Sequence, residues 1–454
     1  MAHVGLGAFA ILCGAFAGAC CVDLFQGDAT LPPADASASP IARGLHYLRV
    51  TQVTADEEAA TGLDFAGNWP QYFHIGGCAG KPVRDISPFV ATFIHHALSL
   101  ITDENAAALG LDAADAADAR AMRRAAVDFM RRFEAPAEGP AAGTFGFWPE
   151  RKPVRSLRDA VFARVGARLL EGPMLRGNLA PSNISFFPKR LAIPPDADDT
   201  ATVYVALLDD ALLDGGPLPN APLDRYVTDW RDLGQVPRRL NPDWLEPASG
   251  AFLTWLAYDS VPGQPKPNDV DLVVNADVLY ALARYGLLDT PGVDEAIALI
   301  NRAALAGYHI TQLEEVCDYC PDNFAYHYCV SRAYHDGPVP ALQPAVEALA
   351  DELLACVQTD ADGTAFWDRG DPHLNTAFAV LTLLNAGHAG SPVDAAVQYL
   401  LDEQDPSFGN WDESAFFIGR SDRGLIIPWT STALTTAMAI EALCRHRLAA
   451  GAGV

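Results

Sequence analysis

Cationic residues are scarce in this 454-residue chain. Lysine occurs only at Lys81, Lys152, Lys189 and Lys266, and 31 basic residues in all face 57 acidic ones. A formal net charge of -26 repels phosphate backbones and anionic lipid surfaces, which excludes nucleic-acid binding. Strict apolar–polar alternation is absent over any long stretch. Helical spacing recurs instead, in "AMRRAAVDFMRRF", "ALQPAVEALADELLACV", "DAAVQYLLDEQ" and "STALTTAMAIEALCRHRLA", so the chain reads as all-α. Half of its residues are apolar, enough for a full core.

A basic residue is also missing ahead of the first apolar stretch, "MAHVGLGAFAILCGAFAGACC". That stretch has signal-peptide length and is too short to span a membrane. Two small-x-small sites, Ala15-Phe16-Ala17 and Ala17-Gly18-Ala19, precede Cys20. Residues 1–22 therefore read either as a secretory or lipoprotein signal, or as a buried first helix or misplaced start. The first reading places the protein in the periplasm, in the medium or on a lipid anchor, and the second leaves it cytoplasmic or membrane-associated. Residues 23–41, rich in Ala, Asp, Pro and Ser, read as a linker, and residues 449–454 as a tail.

Cysteine offers two readings. "CDYCPDNFAYHYC" puts Cys317, Cys320, His327 and Cys329 within reach of one zinc ion, but the second paired half of familiar zinc modules is missing. Buried thiols or a local disulfide account for these cysteines better.

Comparison of the chain with itself shows a repeat. Tyr399-Leu400, Gln404 and Gly409-Asn410-Trp411 form one unit. Leu353-Leu354, Gln358, Gly363 and Phe366-Trp367 form a second, and Arg43-Gly44, Tyr47-Leu48, Gln52 and Gly67-Asn68-Trp69 a third. Each is followed by a polar cap and an apolar helix, and "NDVDLVVNADVLYALARYG" follows Trp255 in the same manner. Paired helices of alternating amphipathicity close most simply into an inner and an outer ring, an α/α toroid (α6/α6 barrel) over residues 42–448. The pattern aromatic-Leu-x3-Gln-x4-Gly-x-Trp resembles the squalene-cyclase and prenyltransferase repeat, which supports the same architecture.

"IPPDADDTATVYVALL" sets Asp196, Asp198 and Asp199 at the mouth of an apolar helix. One such residue suffices as a cap, so two carboxylates need another explanation. Like charges beside an apolar lumen favour retention of a proton, making one carboxyl a neutral acid near pH 7. The stretch from Asp196 to Ala201 resembles the Asp-x-Asp-Asp-Thr-Ala motif of class II terpene cyclases. That resemblance implies that Asp198 is the general acid, supported by Asp196 and Asp199, and that the reaction is proton-initiated cyclisation of an isoprenoid polyene, epoxide or prenylated substrate.

Such chemistry needs aromatic faces around a cation. The candidates for the substrate wall are Trp148, Phe186, Phe187, Trp255, Tyr326, Phe366, Trp367, Phe416, Phe417 and Trp429, with His327 or Tyr328 polarising groups near the acid. Trp69 and Trp411 belong to repeat turns. No metal or cofactor is expected, with Mg required only if the substrate is a diphosphate, and the scarcity of cations favours a neutral substrate. The expected partner is thus a small apolar molecule, while the oligomeric state stays open. The competing reading is a non-catalytic secreted or lipid-anchored toroid that binds an apolar ligand, peptide or glycan. In that case the acidic cluster, or Asp269 and Asp271, serves as a helix cap or calcium site.

Overall fold

The repeat turns are fastened by the residues that define them. In the first unit, helix α1 (Pro40–Thr51) is capped by Ser39, whose hydroxyl accepts from the Ala42 amide. Gln52 then donates to the carbonyls of Gly67 and Met122, and the Trp69 indole N–H donates to Leu48 O at 2.8 Å. The same indole bond recurs from Trp367 to Leu353 O at 2.9 Å and from Trp411 to Leu400 O at 2.7 Å. Each tryptophan thus supplies a donor to a carbonyl near the end of an outer helix, where intrahelical partners run out. Gly67, Gly363 and Gly409 all have φ between +82° and +89°, a left-handed turn that glycine adopts without a Cβ penalty.

Described in this computed structural model are residues 31–56, 65–74, 82–135, 141–147, 194–216, 219, 223–235, 242–256, 268–321, 323–420 and 426–451. After α1 come α2 (Pro88–Ser99), α3 (Ala113–Met130), α4 (Ala197–Asp214), α5 (Leu223–Asp229), α6 (Leu272–Arg284), α7 (Val293–Leu305), and the short α8 (Tyr308–Thr311) and α9 (Leu313–Val316). The chain continues through α10 (Ala325–His335), α11 (Gln343–Cys356), α12 (Pro372–Asn385), α13 (Val393–Asp402) and α14 (Thr432–Gly451). Helices α2, α6, α10 and α12 are buried nearly all round. By contrast α7, α11 and α13 bury one face, as helices on the outside of a core do.

Packing follows chain order. Helix α2 packs on α4, α4 on α6, α6 on α10, α10 on α12, α12 on α14, and α14 returns to α2. The outer helices α7 and α11 pack on each other, as do α1 and α3. Helix α1 starts at Pro40 and α14 ends at Gly451, so helix extends slightly past both ends of the predicted repeat region.

The fold is mostly helical rather than all-α. Strands β1 (Gln71–Phe73), β2 (Val83–Asp85), β5 (Ala415–Arg420) and β6 (Ile426–Thr430) form an antiparallel sheet in the order β2-β1-β6-β5, and β3 (Gln358–Thr359) pairs with β4 (Ala365–Phe366). Pairings this short leave too little alternation to be read in sequence. The larger sheet ties the N-terminal unit to the C-terminal one through Tyr72↔Thr430 and Phe73↔Trp429.

Two further turns escaped the sequence reading because they carry phenylalanine where the others carry tryptophan. Gly143 (φ +81°) precedes Phe145, and Gly250 (φ +78°) precedes Phe252. The Phe145 amide donates to Thr200 Oγ1 at 2.9 Å and the Phe252 amide to Asn275 Oδ1 at 3.0 Å. Trp367 and Trp411 place their amides on Thr376 and Thr436 in the same way. Phe252, not Trp255, therefore occupies the repeat position before α6. Among the described residues no helix is long and apolar enough to cross a membrane.

Candidate active site

Helices α2, α4, α6, α10 and α14 present their N-terminal turns to one cavity with an empty volume of about 690 Å³, part of it open to solvent. Its aromatic wall comes from Phe89 and Phe93 on α2, Phe147, Trp255, Tyr319, Phe378 on α12, and Phe416 and Phe417 on β5. Neighbouring residues on a regular strand face opposite sides. The β-bulge between Ala415 and Phe417 breaks that rule and lets both phenylalanines reach the cavity. Phe417 lies 5.4 Å from Phe147, 5.9 Å from Tyr319 and 5.1 Å from Trp429, centroid to centroid.

The aspartate triplet lies on the polar side of this wall. Asp196 is the N-cap of α4 and accepts from the Asp199 amide at 2.7 Å, so one of the three carboxylates caps the helix. Burial raises its pKa to about 7, against the pull of hydrogen bonds from Asp199 and Phe147. Asp199 is buried and hydrogen-bonded to Asp196; burial, then the Asp196 charge, pushes it well above the carboxylate range. Asp198 is half-buried, and its Oδ1 is sealed from solvent without a hydrogen-bond partner. Burial and then the charges of Asp277, Asp199 and Asp196 drive it well above the ordinary value. Three carboxylates this close cannot all ionise in an apolar setting.

A fourth carboxyl, Asp277 on α6, was not foreseen. It stands close enough to Asp198 to raise that carboxyl's pKa and accepts from Arg332 at 2.6 Å, while its second oxygen has no partner. Arg332 is buried among Phe93, Tyr280 and Tyr328, with its guanidinium carbon 4.7, 5.0 and 5.2 Å from their ring centres. The only sequence signal for Asp277 was an acidic residue inside an apolar helix. Asp271 caps α6, accepting from the Val273 and Val274 amides, and also receives the Asp318 amide; burial raises it to about 7. Among the described lining residues there is no Lys, Arg or His.

The cavity thus brings together Asp196, Asp198, Asp199 and Trp255, along with Phe416 and Phe417. Six other candidates lie elsewhere, among them Tyr328, whose hydroxyl donates to Glu441 at 2.9 Å. On α10 the cavity face is Ala325 and Cys329, so Tyr326 and His327 turn outward by helical geometry. The Tyr326 hydroxyl donates to Ile300 O, and His327 Nε2 meets Glu352. Trp367 is spent on its repeat turn, and Phe366 stacks on Tyr399 of α13. Trp429 donates to Asp85 and backs Phe417 from behind. Trp148, Phe186 and Phe187 lie outside the described residues. The zinc reading of the cysteines is overturned, since Cys317 and Cys320 form a disulfide and Cys329 is left as a buried free thiol.

Comparison with known proteins bears on the fold. No family model and no curated protein matches the chain. Among solved structures the fold is similar to that of type II terpene cyclases. One is the type II terpene cyclase MstE from Scytonema, in its apo form, at 15% identity and a TM-score of 0.50, covering 90% of this chain and 97% of that one. Another is a single-substitution variant of MstE in complex with its substrate geranylgeranyl dihydroxybenzoate, at 14% identity and a TM-score of 0.52, with the same coverage. At that identity the likeness concerns the fold alone.

Proposed function

We propose that the chain is a class II terpene cyclase-like enzyme built on an α/α toroid, and that Asp198 starts cyclisation of an isoprenoid by protonating it. One observation carries this reading: a carboxyl whose pKa is pushed up by burial and three neighbouring carboxyls faces an aromatic-lined cavity. Asp198 sits in the first turn of α4, where the partial positive charge of the helix terminus stabilises the carboxylate left after proton transfer. Asp277, paired with Arg332, orients the proton. The ring faces of Phe89, Phe93, Phe378 and Phe417 stabilise a migrating cation without offering it a nucleophile. A proton lost from the final cation restores the acid, and the product keeps the mass of the substrate.

The substrate class follows from charge. A cavity with four carboxyls and, among the described residues, no cation would repel a diphosphate. A neutral polyene, an epoxide or a prenylated aromatic fits instead, and proton-initiated chemistry on these requires no cofactor. The ligand named for the MstE variant is a prenylated dihydroxybenzoate; its single carboxylate carries less charge than a diphosphate, and it is the first prenylated aromatic to try, beside its neutral ester.

The test is incubation of wild type and Asp198→Asn with geranylgeranyl dihydroxybenzoate, squalene, oxidosqualene and the free diphosphates, read by retention time and fragmentation. Wild type should give an isomer that the variant makes at least about 100-fold more slowly, the scale of a lost general acid. Equal turnover by both proteins overturns the acid assignment. No product from any substrate, with both proteins folded, favours the binding-protein reading.

A further inference from the structure

On the outer side of α10, away from the cavity, three helices aim one ligand atom each at a common point. His309 on α8 and His327 on α10 place their Nε2 atoms 2.5 and 3.1 Å from Glu352 Oε2 on α11, and the three atoms all lie within 4.8 Å of one another. Both histidines are buried, at 4% and 2% exposure. Phe324 closes over the His327 ring at 5.0 Å and Tyr326 over His309 at 5.4 Å.

His309 Nδ1 lies 3.3 Å from Ala303 O; a carbonyl only accepts, so Nδ1 carries the hydrogen. The contact of Nε2 with the carboxylate oxygen is met either by a proton on Nε2 or by a metal ion that both atoms coordinate. Glu352 is already oriented for this, because Arg369 holds its Oε1 at 2.9 Å and leaves Oε2 to the two imidazoles.

We propose that His309, His327 and Glu352 form a structural site for a divalent transition metal, zinc by preference, that fastens α8, α10 and α11 together. Two imidazoles and one carboxylate match zinc, whereas magnesium and calcium demand oxygen-rich shells. At bond lengths of about 2.0–2.2 Å, tetrahedral ligand atoms stand roughly 3.3 Å apart. The His327–Glu352 edge is close to that spacing, and the His309–Glu352 edge must open by less than about 1 Å. Water fills the fourth position. The Ala303 carbonyl on His309 and Arg369 on Glu352 supply the outer hydrogen bonds that orient such ligands. The other His-carboxylate cluster, His96 with Asp336 and Glu441, already holds its cation, Arg445. The inference does not depend on what Asp198 does.

The experiment uses the full chain, stripped with chelator and titrated with zinc alone by calorimetry, with metal content by mass spectrometry and cobalt(II) as a visible probe. The expected result is one tightly bound equivalent, a tetrahedral cobalt band and a thermal midpoint that rises with zinc. Glu352→Gln and His309→Gln should each weaken binding by at least ~10-fold and abolish the midpoint shift. Two outcomes overturn the site: wild type that takes up no zinc at micromolar concentration and gives no cobalt band, which needs no variant to read, or one equivalent bound equally well by wild type and both variants.

Discussion

At the scale of residues, Asp198 is distinguished from its neighbours by what it faces. Asp196 is occupied as a cap and Asp199 is tied to Asp196, while Asp198 faces the charge of Asp277; Asp198 and Asp199 each keep one buried carboxyl oxygen without a partner. Raised carboxyl pKa values also bear on stability. The unfolded chain releases these protons above about pH 4, whereas the folded chain holds them, so the folded state binds more protons as pH rises. The stability they contribute is complete below about pH 4 and is lost as pH climbs through the folded values, about 7 for Asp196 and well above the ordinary carboxylate value for Asp198. Asp198→Asn cannot ionise. Its thermal midpoint should therefore gain on that of wild type between pH 5 and pH 8, measured by calorimetry, and a constant difference would refute the assignment. Groups that run the other way cancel in the comparison. Glu441 is one, held at about 2 by His96 and Arg445 in spite of its burial.

At the scale of elements, a helix, a left-handed glycine, an aromatic and a second helix recur. At Gly409 an added Cβ would stand 2.5 Å from the Arg43 backbone, at a φ of +82°. Gly409→Ala should cost at least about 1–2 kcal/mol from backbone strain alone, read as a lower denaturant midpoint. The same change at Gly363, where a Cβ meets nothing within 4 Å, should cost only the strain. The tryptophan-bearing turns were legible because indole, glutamine and glycine stand at fixed spacing. Those at Phe145 and Phe252 were not, since phenylalanine in a glycine-containing stretch is common and the partners that define the turn, Thr200 and Asn275, lie 55 and 23 residues further along the chain. The bulge that turns both Phe416 and Phe417 inward has no sequence signature either.

At the scale of the whole molecule, closure of the helix succession depends on its last member. Residues Ala433 to Cys444 of α14 are all buried, and the helix packs on α1, α2 and α12. A chain ending at Thr430 exposes those surfaces, so it should lose the cooperative thermal transition altogether, as calorimetry would report. The end of the fold opposite the cavity is ionic: Arg445 bridges Asp336 at 2.5 Å and Glu441 at 2.9 Å, beside His96, and Arg284 pairs with Asp209. The sequence by itself determined the helical class, the repeat and the three clustered aspartates, because helix periodicity, turn chemistry and caps act over a few residues. Only the tertiary structure decided the rest: Asp277 beside Asp198, Arg332 within its aromatic cage, the lining by Phe89, Phe93 and Phe378, and the outward turn of Tyr326 and His327. Those relations join residues dozens to hundreds of positions apart, and which face of a thoroughly apolar helix meets the cavity is set by its neighbours in space.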